Sequence, residues 1–211
     1  MDFGVACENC WASTRLFDGG TVLCIRCGAY LGEGSGIGTE CGRCSEHEYD
    51  SAFAIGVYEK ALAASILQLK RSPHVPKHLR RLCLRRVADL PLKADVIVPL
   101  PLSKKRQLER GFNQAEILAE CIGKAIGVPV SPGTLRRKLH SHRNRALMDR
   151  KGRELTVRNA FEVADRTHVQ GISVLLVDDV LTTGATVSSC ARAIKKKGAA
   201  SVTVFTLARA L

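Results

Sequence analysis

Aromatic side chains are scarce in this 211-residue chain, at 5% with a single Trp, and acids are outnumbered, with 20 Asp and Glu against 32 Lys and Arg. No run approaches the roughly 18 consecutive apolar residues of a membrane helix, so membrane insertion is not expected. The opening MDFGVACENCW has neither the basic nor the apolar region of an export signal, so a cytoplasmic location is expected. The formal charge of +12 favours polyanionic partners, nucleic acid or phosphorylated ligands, and says nothing about fold.

The length suits one well-buried domain plus a small appendage, and is too short for two full domains. The 45% hydrophobic content is mostly Val, Leu, Ile and Ala. That composition fits a parallel sheet covered by helices, and so an α/β fold.

Nine cysteines in a chain without an export signal point to metal ligation rather than disulfides. Six form three C-x-x-C pairs, Cys7 with Cys10, Cys24 with Cys27 and Cys41 with Cys44, with 13 residues between successive pairs. Two cysteines three apart can turn both thiolates onto one tetrahedral ion, and a second pair completes a closed structural zinc site. The intervening segments are Gly-rich and poor in apolar residues, so metal would supply stability that burial cannot. A redox dithiol or ordinary buried thiols are the competing readings. Six ligands exceed one four-coordinate site and fall short of two, so which cysteines share an ion stays open. His47 offers a further ligand or a solvated side chain, and Cys83, Cys121 and Cys190 fall in apolar helical patterns as packed thiols.

After Tyr49 the pattern changes, which predicts a zinc-ribbon module over 1–50 and a separate α/β domain over 51–211. AFAIGVY reads as a strand, and KALAASILQLKR as a helix with Leu62, Ile66 and Leu69 inward. A basic helix over about 77–88 follows, turning Leu79, Leu82 and Val87 inward and Arg80, Arg81, Arg85 and Arg86 outward. ADVIVPLP is a strand ended by prolines, GFNQAEILAECIGKAIG a helix closed by Gly127, and VPV a short strand. The stretch 134–159 carries nine Lys or Arg against Asp149 and Glu154 and reads as a mobile flap with short helical pieces. Strand ISVLLV, helix ATVSSCARAIKKKG and strand SVTVFTLA close the chain. Strands alternating with helices imply right-handed crossovers and an open parallel sheet.

The most specific segment is VLLVDDVLTTGAT, from Val174 to Thr186. Its apolar strand delivers Asp178 and Asp179 to the C-terminal edge of the sheet, where open α/β folds bind ligands. Adjacent carboxylates there can accept hydrogen bonds from vicinal ribose hydroxyls. After Val180 and Leu181, the turn Thr182, Thr183, Gly184, Ala185, Thr186 offers backbone amides at a helix N-terminus and hydroxyls around one phosphate.

This segment resembles the phosphoribosyl pyrophosphate (PRPP) signature of type I phosphoribosyltransferases over all thirteen positions. The whole chain, from about Cys7 to Arg209, is similar to the ComF competence-protein family, which joins an N-terminal zinc ribbon to such a domain. The pairs ending in CGRC, the segment VPLPLSKKRQLERGFNQAEILA and the ending GAASVTVFTLAR carry the resemblance. It implies a type I phosphoribosyltransferase fold, PRPP as substrate with Mg2+, and structural Zn2+. It also implies that the loop after VPLP faces pyrophosphate, with Lys104, Lys105, Arg106 and Arg110 as its cations. The flap departs from the family pattern, carrying His142, Arg145, Met148, Arg153 and Thr156 where the family shows T-x-x-Q, Leu and R-x-x-N.

The implied chemistry is displacement of pyrophosphate from C1 of PRPP by a nitrogen nucleophile, with cations and magnesium meeting the leaving-group charge. No residue stands out as the acceptor pocket; His140 and His142 are candidate bases. The alternative is a non-catalytic accessory protein that binds single-stranded DNA during uptake and works with competence-machinery proteins. The basic runs would contact phosphates, and Trp11 and Tyr30 are its candidate stacking platforms.

Overall fold

In a computed structural model the chain is described at residues 5–18, 20–33, 40–42, 44, 47–138, 160–164 and 169–211. Most of the predicted flap, including His140, His142, Arg145, Met148, Arg153 and Thr156, lies outside these residues.

The sheet is parallel and contains β3 (Ser51–Val57), β4 (Val96–Pro99), β7 (Ser173–Leu181) and β8 (Ser201–Arg209). Its order is β3-β8-β7-β4, so the two long strands that end the chain lie at its centre. These strands are near-continuous apolar runs because both faces are covered.

The period-2 alternation of side chains assigns each face its partners. Leu175, Val177, Phe205 and Leu207 pack with α2 (Lys60–Leu69), α3 (Lys77–Asp89) and α5 (Gln114–Ile126). Val174, Leu176, Val202 and Val204 pack instead with α6 (Ala185–Lys195) and with Cys24, Cys27 and Cys44. Leu62, Ile66 and Leu69 of α2 are fully buried, as their spacing predicts, each contributing about 1.5–3 kcal/mol.

The N-terminal region holds α1 (Glu8–Ala12) and an antiparallel pair, β1 (Thr21–Leu23) with β2 (Tyr30–Glu33). The turn between them carries Cys24, Cys27 and Gly28. Gly28 has φ +64°, and a Cβ there would lie 2.5 Å from the Ala52 carbonyl oxygen, so only glycine lets this turn press on β3. The cysteine-bearing turn therefore shares the core of the main sheet.

Three local expectations change. The segment expected as a loop after VPLP forms α4 (Lys104–Arg110). Ser103 caps it by accepting from the Arg106 N–H, and Gly111, at φ +74°, ends it in the left-handed region. Leu135–Arg137, expected inside the flap, is a strand (β5) paired antiparallel with β6 (Phe161–Val163). The VPV stretch contributes an isolated bridge, Val130 to Ile97, rather than a strand of its own.

Candidate functional site

The two central strands set up the site by ending at different places. Pairing of β7 with β4 stops at Val177 opposite Pro99, while pairing with β8 continues to Leu181 opposite Arg209. Asp178 and Asp179 thus sit in a step where β7 has a neighbour on one side only.

Because β7 runs through both acids, they alternate faces rather than standing side by side, as expected for residues leading into a turn. Asp179, on the face of α2 and α5, is buried and held twice. Gln114 Nε2 donates to its Oδ2 at 3.1 Å, and Lys70 Nζ, just past the end of α2, lies 3.0 Å from the same oxygen. Gln114 Oε1 in turn accepts from Arg110 Nη1 at 2.8 Å. Asp178 is half-buried on the other face, and its Oδ1 accepts from the Asp179 N–H at 2.8 Å. Burial, and then the negative charge of Asp179, push the Asp178 carboxyl up to about 7, against the pull of Lys70 and Arg106.

Asn113 fixes the approach of Arg110 and Gln114. Its Oδ1 accepts from the Ala115 N–H as the cap of α5, and its Nδ2 donates to the Leu100 carbonyl at 2.9 Å. The RGFNQ stretch is thus one bent connector clipped to the end of β4.

Past Leu181 the chain turns sharply. Thr182, Thr183, Ala185 and Thr186 are exposed, and Gly184 is buried with φ +80°. Gly184, the N-cap of α6, has no side chain to cap it, and at the helix start the Ala185 N–H donates to Thr183 Oγ1 at 3.4 Å. A Cβ on Gly184 would lie 2.9 Å from His47 Cε1 and 3.0 Å from Tyr49 Oη. His47 and Tyr49 stack with ring centroids 4.9 Å apart. His47 is therefore a half-buried brace on the turn, not the solvated residue its charged neighbours suggest, and it is not in the cysteine cluster.

A cavity of about 890 Å³ opens between this turn and the N-terminal region, lined by Thr182, Thr183, Arg209, Tyr30, Leu31 and His47 among others. Arg209 Nη1 and Tyr49 Oη are buried without a hydrogen-bond partner among the described residues. Sequence reasoning missed this cavity and Arg209, since an Arg near the end of an apolar strand carries no signal of what it faces.

Lys104, Lys105 and Arg106 are exposed on α4, and Lys105 lies 3.8 Å from Glu109 one turn on. Arg86, expected outward, instead donates through Nε to the Ala54 carbonyl at 3.3 Å. Trp11, expected as a stacking platform, is buried against His78 with centroids 4.5 Å apart.

Of the six paired cysteines, the fold brings four together. The Sγ atoms of Cys24, Cys27, Cys41 and Cys44 lie within 4.8 Å of one another, three of the four buried. Burial opposes ionisation of Cys24, but the N–H groups of Cys27 and Cys41 aim at its sulfur and hold it down to about 6. Burial and then the neighbouring thiols push Cys44 up. A buried four-sulfur donor set of this kind fits a tetrahedral soft-metal ion. Cys7 and Cys10 are exposed and outside the cluster. Cys83 and Cys190 are fully buried, as packed thiols should be, while Cys121 is only half-buried.

The phosphoribosyl transferase domain model matches residues 65–211. The chain is 34% identical over 199 residues to the DNA utilization protein YhgH of Salmonella typhi, covering 90% of this chain and 85% of that protein. It is 30% identical over 214 residues to competence protein F of Haemophilus influenzae, covering 97% of this chain and 90% of that protein. The chain belongs to the ComF family. A further ComF relative, ComFC of Bacillus subtilis, is 38% identical over 120 residues, 56% of this chain and 46% of that protein. Among solved structures, a PRPP amidotransferase from B. subtilis is similar at 20% identity and TM-score 0.47, over 67% of this chain and 30% of that chain. As in the resemblance read from sequence, the ComF chain places its signature segment at the C-terminal edge of a parallel sheet. No helix among the described residues is long and apolar enough to cross a membrane.

Proposed function

We propose that this ComF-family chain binds PRPP with Mg2+ at the end of β7 and transfers its phosphoribosyl group to a nitrogen nucleophile, in support of DNA transformation. One observation carries the reading: the step in the sheet at Asp178 and Asp179 adjoins the N-terminal end of α6, with Gly184 left-handed between them.

The amides of the 184–186 turn and the hydroxyls of Thr182, Thr183 and Thr186 suit a 5-phosphate. Asp178 and Asp179 suit the ribose hydroxyls, and Val180 and Leu181 form the strand end beneath. Arg110, Lys104, Lys105 and Arg106 suit the departing pyrophosphate, whose developing charge is the main barrier. Magnesium, bound with the substrate, would supply Lewis-acid neutralisation of that charge. The cavity beside Thr182 and Thr183, with Arg209 in its lining, offers the acceptor a place next to the sugar.

Zn2+ at Cys24, Cys27, Cys41 and Cys44 would hold the N-terminal region, 1–50, against the phosphoribosyltransferase-type domain, 51–211. Both the four-sulfur geometry and the contact of His47 with Gly184 support that arrangement.

The second reading, single-strand DNA handling, rests on the +12 charge and on the exposed Arg80, Arg81 and Arg85 of α3. The names of the relatives, competence protein and DNA utilization protein, favour the same setting.

Calorimetry with Mg2+ and PRPP tests the first reading. Wild type should bind, D178N/D179N should bind at least a hundredfold more weakly, and pyrophosphate release should appear with the correct amine or base acceptor. No heat from the folded wild type would end it. Salt-sensitive binding of an oligonucleotide, unchanged in D178N/D179N, would support the second reading.

A further inference from the structure

Cys7 and Cys10 are left over once the other four N-terminal cysteines are gathered. Their sulfurs lie 3.4 Å apart and both residues are exposed. Neither belongs to the four-sulfur cluster, and among the described residues no third metal-ligating side chain joins them. Of the three remaining thiols, Cys83 and Cys190 are sealed in the core and Cys121 is half-buried on α5.

The turn carrying the pair is anchored. The Cys7 carbonyl accepts from the Trp11 N–H at 3.1 Å, and the Trp11 ring is buried on His78. Thr14 Oγ1 donates to the Cys10 carbonyl at 2.7 Å and accepts from the Ala61 N–H at the start of α2. Lys60 Nζ donates to the Ser13 carbonyl at 2.7 Å. The backbone of the pair and the residues after it are thus held to α2 and the core, which fixes the two thiols near one another. The C-x-x-C spacing and the 3.4 Å separation put the two sulfurs near the roughly 2.05 Å of a disulfide bond.

We propose that Cys7 and Cys10 are a reversible dithiol–disulfide pair that exchanges with low-molecular-weight disulfides. The Cys7 thiolate attacks one sulfur of the small disulfide, forming a mixed disulfide and releasing one thiol. The Cys10 thiolate then attacks Cys7 Sγ, closing the Cys7–Cys10 bond and releasing the second thiol. In sum, one small disulfide is reduced to two thiols while two cysteine thiols lose two hydrogens and become one disulfide. The order of roles has support in the electrostatics. The Cys10 N–H and thiol favour the Cys7 thiolate, whereas the hydrogen bond to Cys7, and then its charge, push Cys10 up.

The test uses the full metal-loaded chain equilibrated with glutathione and glutathione disulfide in varied ratio, then acid-quenched, alkylated and digested. The expected result is loss of two hydrogens on the peptide holding Cys7 and Cys10 at a defined ratio, with bound zinc unchanged. C10S should trap a glutathione adduct at Cys7, and in C7S adduct formation should fall at least tenfold. Circular dichroism of both variants confirms that the fold persists. Full alkylation of both thiols even in excess glutathione disulfide would overturn the proposal. So would a second metal ion per one or two chains that disappears in C7S, which would make the pair half of a shared metal site.

Discussion

Lys70, one residue past α2, and Asp179, near the end of β7, meet as an ion pair at 3.0 Å. The pair ties a crossover helix to the acidic step of the sheet, and Gln114 joins it from α5 at 3.1 Å. Three elements separated in sequence converge on one carboxylate oxygen.

Replacing Lys70 by Met leaves the buried Asp179 charge with only an amide donor. Losing a charged hydrogen bond of this kind costs about 1.5–3 kcal/mol, reduced here because Lys70 keeps some solvent contact. Urea denaturation of K70M should show the loss, and K70M/D179N should recover most of it, giving a measurable coupling between the two sites.

Asp178 governs a pH dependence. Its carboxyl titrates near 7 in the fold and near 3.8 unfolded. The folded state therefore binds more protons between those values, and this group's contribution to stability is greatest below about 4 and is lost as pH rises toward 7. Ligand binding that needs the carboxylate runs the other way. Affinity for Mg2+ and PRPP should fall about tenfold per pH unit below 7 and level off above it. Calorimetry across pH 5.5 to 8.5 in buffers of different ionisation enthalpy checks both the slope and the proton release, and D178N should abolish both.

Gly184→Ala meets two penalties: a left-handed φ of +80° and a Cβ about 3 Å from His47 and Tyr49. A non-glycine residue held in that region costs about 1–3 kcal/mol. Thermal unfolding of G184A should show that loss. The companion H47A removes the His47 contact but leaves the Tyr49 hydroxyl and the left-handed φ, so G184A/H47A should recover only part of it.

Metal removal should act on the core and not on a detached appendage, because Cys24, Cys27 and Cys44 pack with Val174, Leu176 and Val204. Chelation is expected to release one zinc per chain and lower the unfolding temperature. C24S and C44S should retain less than a tenth of the metal, while C7S and C10S keep it in full, as read by a metallochromic dye.

Much of this was legible in the residues. Leu62, Ile66 and Leu69 are where a 3.6-residue period places them, and the segment from Val174 to Thr186 lies where an apolar run ending in acids and a Gly turn should. The α4 helix had its signals too, a Ser cap at 103 and a Gly stop at 111, which the neighbouring family pattern had cast as a loop. Trp11 and Arg86 misled because exposure depends on what lies opposite a side chain, and local pattern does not carry that.

From the chain's own order came the element types, the Thr-Gly turn after β7 and the stock of paired cysteines, because period, capping residues and spacing act over a few positions. Which four cysteines meet, why Asp178 and Asp179 part to opposite faces, and which partners Asp179 takes came from the packing. Those outcomes depend on where β7 outruns β4 and on helices that arrive from some 65 to 110 residues away, as Gln114 and Lys70 do. Distances across a core are set by how layers stack, and no local stretch of sequence encodes them.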